Sequence, residues 1–243
     1  MIYTKTGLVP ASMCDGTTRL SALALLQLEE DAVTELMGDL HIDGITAMRE
    51  YDAMWVFVKN SVRVFRRPAW REKYRLRSFV SGHSSAKLLI DTELSSTENH
   101  EPLFHARLEL CALDLQTGHI RKAVTVGVSD DMPCEEALSE LSFNRFPKCD
   151  SALMETVRVR STNLDYCSHT NNIEYLRFIL NTYAARTFEE REISRIEIHY
   201  GNQTFEGDEI AVFKHSDMQT EYFSLVSNGK TAVDCMIVWK RES

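Results

Sequence analysis

The chain has 243 residues, 44% hydrophobic and 26% charged, with a formal net charge of −9. This is the composition of an ordinary soluble globular protein, long enough for one large domain or two small ones, and its acidity argues against a general nucleic-acid binder. Residues 1–10 lack a basic segment followed by an apolar one, and no apolar run approaches the ~18–20 residues that span a bilayer, so the chain reads as neither secreted nor membrane-bound.

In chain order, Asp15-Gly16-Thr17-Thr18 is a turn and capping cluster that opens a helix over 20–37. The apolar residues cover nearly the whole circumference of its first half and then narrow to a stripe, as in a helix pushed deep into a core, and Gly38 ends it. Alternating or β-branched runs predict strands at 54–58, 62–65, 74–80, 87–94, 103–113 and 120–126. Residues 63–77 carry seven basic side chains against one acid, Arg66, Arg67, Arg71 and Lys73 among them. On an acidic protein this is either a cationic strip that attracts an acidic macromolecule or phosphate, or two strands whose outward positions are charged.

One helix followed by a string of strands is an α+β order. Residues 129–150 interrupt it and read as a linker, with a short acidic helix at 134–141 and a turn at 147–150. The order then returns. A strand at 156–160 leads to a turn at 165–172 and a helix to about residue 190. Strands follow at 193–200, 209–214, 220–227 and 231–240, with a hairpin turn at 227–230. Strand, Asp-containing turn, long helix and meander thus occur twice, implying two like domains, 1–128 and 151–243. Six scattered cysteines form no C-x-x-C pair and no zinc-finger spacing, so reduced thiols in a cytosolic protein are the simplest reading, and no metal or cofactor motif appears.

The stretch from Asn163 to Phe178 concentrates the chemistry. Asp165, Cys167 and His169 occupy every second position, so an extended backbone would place them on one face at roughly 6–7 Å spacing. Thr170, Asn171 and Asn172 are N-cap types, and a helix start beside His169 offers unpaired N–H groups to a developing oxyanion. The competing reading is a polar turn capping a core helix, with His169 packed and hydrogen-bonded.

The segment Asn163-x-Asp165-x-Cys167-x-His169-x-Asn171-Asn172 resembles the D-x-D-x-N-x-H-x-N-N segment of acyl-[acyl-carrier-protein] thioesterases. Further likenesses are Trp55-Val56-Phe57-Val58 followed by Arg66-Arg67-Pro68-Ala69-Trp70-Arg71-Glu72, and residues 110–118. The resemblance implies two tandem hot-dog domains, each an antiparallel sheet wrapped around a long helix. The N-terminal domain would bind the acyl chain, with Leu23, Leu26 and Trp55 as lining, and the C-terminal one would be catalytic. It further implies hydrolysis of acyl-carrier-protein thioesters to free fatty acid, with catalytic positions on Asp165 and His169 and a phosphopantetheine-bearing carrier on Arg66, Arg67, Arg71 and Lys73.

Three positions depart from the pattern, the first being Asn163, which stands where the segment has Asp. Cys167 stands where the family has Asn, and reads either as a spacer or as a nucleophile paired with His169. Gln203 stands where a catalytic Glu is expected. It can orient a water but cannot act as a base, which leaves Asp165 and His169 alone, or Glu206 or Glu197 in its place. A binding module with little catalysis, and a hot-dog hydratase or dehydratase, stay open as alternatives. So does oligomeric state, a homodimer included.

Overall fold

A computed structural model describes residues 1–147 and 151–241. The chain divides into two compact units, Met1–Ser142 and Phe143–Ser243, each a hot-dog domain. The first contains β1 (Ile2–Leu8), α1 (Ala22–Asp39), α2 (Gly44–Tyr51), β2 (Ala53–Val64), β3 (Lys73–His83), β4 (Leu88–Ser96), β5 (Pro102–Asp114) and the short β6 (Ile120–Arg121). The second contains β7 (Ala152–Arg158), α3 (Asn172–Asn181), α4 (Ala185–Glu190), β8 (Ile193–Tyr200), β9 (Glu209–Asp217), β10 (Thr220–Ser227) and β11 (Lys230–Trp239). Strand order is β1-β3-β4-β5-β2 in one unit and β7-β9-β10-β11-β8 in the other, all antiparallel. The same topology is therefore built twice.

The first sheet curls around α1. Leu25, Leu26, Val33, Leu36 and Met37 are buried along that helix, and Val33, Leu36 and Met37 pack in one cluster with strand residues such as Leu108 and Leu110 of β5. Burying each such side chain contributes about 1.5–3 kcal/mol.

Several elements differ from the sequence expectation. β1 was unexpected, because Tyr3-Thr4-Lys5-Thr6 lacks an apolar alternation, yet all seven of its residues pair with β3 as an edge strand. α2 fills the stretch between the expected helix and the strand at 54–58, where the sequence predicts no element. Asp43 caps it, accepting from the N–H groups of Ile45 and Thr46, and only Ala47 of its eight residues is buried, which leaves little apolar periodicity. The strand expected at 120–126 shortens to β6, and Ala123–Val126 turns as a 3-10 helix. The helix expected over 172–190 breaks between α3 and α4. Thr182 Oγ1 donates back to the Ile179 carbonyl, and Tyr183 swings into a cluster with Phe188, Phe223 and Trp239 while its hydroxyl donates to Glu221.

The acidic helix expected at 134–141 does not form, because partners on the first sheet take its backbone groups. Glu135 N–H donates to the Val80 carbonyl and Leu138 N–H to Asp91 Oδ2, while Arg107 donates to the carbonyls of Leu138 and Leu141. Arg107 itself forms a bidentate pair with the buried Asp91 at 2.7 Å. The segment read as a linker from 129 to 150 is thus divided: its first part docks on the first unit, and 148–150 lie outside the described residues. Among the described residues no helix is long and apolar enough to cross a membrane.

Inside the first unit, Glu29 of α1 is fully buried against Asn60 of β2, whose Nδ2 donates to Glu29 Oε2 at 2.9 Å. The other two oxygens, Glu29 Oε1 and Asn60 Oδ1, have no partner among the described residues. Burial pushes the Glu29 carboxyl up to about 8, the Asn60 bond lowers it and the nearby Asp91 charge adds to the rise. Protonated, Glu29 carries a donor in place of one of the two orphaned acceptors, which removes the cost of an unpaired buried charge.

The folded value lies above the unfolded one, near 4.5, so the unfolded chain ionises first as pH rises. Stability should then fall by at most about 1.4 kcal/mol per pH unit from there to about pH 8 and level off above it. Glu29→Gln, which supplies the donor without the charge, should match the parent near pH 4 and exceed it increasingly toward pH 8 in urea titrations. Parallel pH profiles for the two proteins would contradict a neutral Glu29.

Candidate active site

The stretch expected to be extended is a closed turn. Asp165 N–H donates to the His169 carbonyl at 2.8 Å, Ser168 N–H donates to the Asp165 carbonyl at 3.1 Å, and Ser168 sits in the left-handed region with φ 62°. The Asp165 carboxylate completes it: Oδ1 accepts from the Cys167 N–H at 2.8 Å and the His169 N–H at 3.2 Å. Asp165, Cys167 and His169 are therefore gathered by a turn that the carboxylate itself caps, and not by the rungs of a strand. The reason lies in Asp chemistry, since a short carboxylate bonds readily to N–H groups two residues on.

The chain runs from the turn directly into α3. Asn171 is the N-cap, its side chain accepting from the Ile173 N–H at 2.9 Å, and its carbonyl takes the Glu174 N–H. That leaves the N–H of Asn172, the first helical residue, as the helix-start donor without a protein partner among the described residues, at the positive end of the helix dipole. The expectation of donors at Asn171 and Asn172 thus narrows to one backbone group. Asn163 braces the turn from behind, donating through Nδ2 to Glu174 Oε2 and accepting from the Arg160 N–H.

The first unit contains the same turn at one constant sequence offset. Asp15 N–H donates to the Arg19 carbonyl, Thr18 N–H to the Asp15 carbonyl and Thr17 N–H to Asp15 Oδ1, with Thr18 at φ 59° and Ser21 as the N-cap. A second loop docks on each turn in matching register. Leu20 N–H bonds the Pro68 carbonyl as Thr170 N–H bonds that of Thr204, and Arg71 N–H bonds the Val9 carbonyl as Gly207 N–H bonds that of Val159. Ala69 N–H is accepted by Glu72 as Phe205 N–H is by Asp208. Gln203 consequently occupies the position of Arg67. Gly201 starts its loop where a Cβ would meet the Thr231 carbonyl at 2.8 Å, so a glycine is required there.

This equivalence separates the two sites. Arg67 is buried, ion-paired with Asp15, and donates to Thr17 Oγ1 and the Leu20 carbonyl, so a guanidinium fills the first unit's version of the site. At the same place in the second unit Gln203 is neutral and exposed. Among the described residues the Asp165 carboxylate forms no ion pair, and His169 lies edge-on to Phe205 with ring centroids 5.3 Å apart. Phe205 is 50% and Tyr166 76% exposed, so aromatic surface flanks the site.

The other expected residues divide. Burial, reinforced by the Asp165 charge, pushes the Cys167 thiol up, away from the thiolate a nucleophile needs. Glu206 is exposed. Glu197 is fully buried and committed, accepting from the Asn144 N–H and side chain, from Arg195 and from His199, which hold its carboxyl below the usual range against the opposing effect of burial. It is an anchor for the chain entering the second unit.

The cationic strip also changes. Arg67 is withdrawn into the first unit and Arg66 pairs with Glu72 at 2.8 Å, which leaves Arg63, Arg71, Lys73 and Arg75 as its exposed charges, Arg71 and Lys73 being those nearest the exposed Trp70 in sequence. Leu26 is buried in α1, whereas Leu23 and Trp55 are partly buried, and the Trp55 indole N–H has no partner. The feature missed from sequence is the Arg67–Asp15 pair; its only signal was the repeat itself, which aligns Arg67 with Gln203 once the two loops are matched.

Residues 147–241 match the family model described as the acyl-ACP thioesterase C-terminal domain. The chain is 23% identical over 184 residues to the chloroplastic palmitoyl-acyl carrier protein thioesterase of Cuphea hookeriana, covering 71% of this chain and 44% of that protein. It is 21% identical over 198 residues to the chloroplastic oleoyl-acyl carrier protein thioesterase 2 of Arabidopsis thaliana, covering 76% and 54%. The chain thus spans about half the length of the curated relatives it matches. Among solved structures, an acyl-ACP thioesterase from Bacteroides thetaiotaomicron superposes with a TM-score of 0.89 at 18% identity, covering 98% of each chain. The 12:0-ACP thioesterase from Umbellularia californica does so at 0.83 and 16%, covering 99% of this chain and 98% of its own.

Because Asp165 caps its own turn, part of any loss on its replacement is structural. Asp165→Ala should cost on the order of 1–2 kcal/mol in urea denaturation, the range for a lost cap. Asp165→Asn keeps an acceptor for both N–H groups and should cost less than half as much. An Asn variant as unstable as the Ala variant would show that the turn needs the charge.

Proposed function

We propose that this chain, which belongs to the acyl-[acyl-carrier-protein] thioesterase family, hydrolyses acyl-carrier-protein thioesters to free fatty acid and carrier thiol at the Asp165–His169 turn. The observation that carries this reading is the junction of a capped acidic turn, an imidazole and a helix start whose Asn172 N–H has no protein partner.

Water attacks the thioester carbonyl carbon while His169 takes its proton, and Asp165 stabilises the imidazolium that forms. Charge moves onto the carbonyl oxygen, where the Asn172 N–H and the start of α3 receive it. As the tetrahedral intermediate collapses, the C–S bond breaks, the sulfur leaves as thiolate and His169 returns the proton to it. A thiolate is a good leaving group, so no strong separate acid is needed. Gln203 orients the water, a role its amide can fill without acting as a base. The raised Cys167 thiol supports a spacer role there.

The first unit, whose turn is occupied by Arg67, takes the acyl chain along Leu23, Leu26 and Trp55, and the second performs the chemistry. Arg71 and Lys73 form the cationic contact for an acidic carrier protein. The free thiols at Cys14, Cys111, Cys134, Cys167 and Cys235 support a reducing, cytosolic setting; Cys149 lies outside the described residues.

A product assay on a panel of acyl-carrier-protein thioesters tests the reaction: free fatty acid supports it, whereas an enoyl or hydroxyacyl product, or binding without turnover, would replace it with another reading. His169→Ala and Asp165→Asn should each lower kcat by on the order of 10²-fold or more. Cys167→Ser and Cys167→Asn should stay active, and no acyl adduct should be seen by mass spectrometry. Reversing Arg71 and Lys73 together should raise KM for carrier-protein substrates several-fold at low salt, with the difference fading at high salt and absent for short pantetheine thioesters. Equal loss on both substrate types would mean these charges are not a carrier contact.

A further inference from the structure

Behind the candidate site lie three buried hydroxyls that the reaction above does not use. Thr170 follows His169 in the turn, Thr204 sits between Gln203 and Phe205, and Tyr175 lies in the first turns of α3; all are at most 4% exposed. Tyr175 Oη lies 2.9 Å from Thr204 Oγ1, Thr204 Oγ1 lies 2.6 Å from Thr170 Oγ1, and Thr170 Oγ1 lies 3.2 Å from the Thr204 carbonyl oxygen. One assignment places every proton: Tyr175 donates to Thr204 Oγ1, Thr204 to Thr170 Oγ1, and Thr170 to the Thr204 carbonyl. The chain is closed and fully satisfied, the condition under which a buried polar network rigidifies its surroundings.

The first unit builds the same junction without it. Its counterparts are Leu20, Leu25 and Pro68, all buried, and the loop and turn are still joined there by the backbone bond from Leu20 N–H to the Pro68 carbonyl at 2.9 Å. There the junction is held by apolar packing, that backbone bond and the Arg67–Asp15 pair, so the fold is made without a hydroxyl chain. Burying three hydroxyls in place of apolar side chains stabilises nothing unless each finds a partner, and the requirement that all three do so restricts the geometry far more than packing would. The restriction acts beside Gln203 and Phe205, the ring of the latter lying edge-on to His169.

Resting on the hydrolase reading of this site, we propose that Thr170, Thr204 and Tyr175 are positioning residues whose hydroxyl chain fixes the Gln203 loop relative to the His169 turn. Gln203 and Phe205, whose ring packs edge-on to the imidazole, flank Thr204 on either side. A small displacement at this anchor moves both, and misplacement of catalytic groups by fractions of an ångström lowers turnover more than substrate binding.

The test compares Thr204→Val, Tyr175→Phe and Thr204→Ser with the parent and with His169→Ala in the full chain. Thr204→Val and Tyr175→Phe should lower kcat on the order of tenfold with KM within about twofold, and Thr204→Ser, which keeps the hydroxyl, should retain most of the parent kcat. In NMR spectra the His169 imidazole and Phe205 ring signals should shift in Thr204→Val and stay in place in Thr204→Ser. An unchanged kcat with unchanged ring signals in Thr204→Val overturns the proposal, and so does equal loss in the Val and Ser variants. A parent without thioester turnover, or turnover that His169→Ala leaves intact, refutes the hydrolase reading instead, and the ring signals then decide the positioning role alone.

Discussion

Each unit depends on a carboxylate that closes the turn it belongs to. Asp15 and Asp165 both fold back on N–H groups two residues ahead, and both let the chain reverse from an edge strand into the cap of a central helix. Everything that follows is registered on that reversal. The helix starts one residue after Ser21 or Asn171, the second loop docks through the residue before the cap, and the strands close around the result. A side chain that satisfies backbone donors in this way costs little conformational entropy, because the turn and the cap are ordered by the same atoms.

On this shared frame the units diverge through what faces the carboxylate. In the first unit a buried guanidinium neutralises Asp15, and the surroundings are Leu20, Leu25 and Pro68. Such a pair is strongly unfavourable to break from one side, since the remaining charge is left without compensation, but it leaves the carboxylate nothing to give to a substrate. In the second unit a neutral amide occupies the guanidinium's place and hydroxyls replace the hydrocarbon. Among the described residues the Asp165 carboxylate is then answered by two backbone N–H groups and no ion pair. One difference at the position shared by Arg67 and Gln203 thus separates a turn whose carboxylate is ion-paired from one whose carboxylate is not.

Much of this was legible in the sequence. The strand at Thr220–Ser227 follows from alternation that matches one buried face, and α1 from the apolar positions of 20–37, although its cap is Ser21 and not the Asp15–Thr18 cluster and it runs through Gly38 to Asp39. β1 was not legible, because an edge strand with mostly exposed side chains carries no apolar alternation, and α2 was not, because a cap and a single buried residue hold it. The Asp165 turn was read as extended because side-chain spacing says nothing about the left-handed φ at Ser168 that closes it. Arg67 read as part of a surface charge run for a similar reason: its burial depends on Asp15, more than fifty positions away, and no local pattern reports such a partner.

The identity of residue 167 follows from the same turn. What the turn takes from this position is its backbone N–H, which any residue but proline supplies, so side chains as unlike as Thr17 and Cys167 serve equally for closure. They differ in what they add. Thr17 Oγ1 lies 2.5 Å from Asp15 Oδ1 and donates a second bond to it, stabilising the ionised form and using up a lone pair. A thiol is a much weaker donor, and this one is held protonated by burial and by the Asp165 charge. Cysteine at 167 therefore leaves Asp165 with more of its accepting capacity unspent than threonine does in the first unit, a difference that favours a carboxylate placed to hold a water or a charged imidazole over one that only closes a turn.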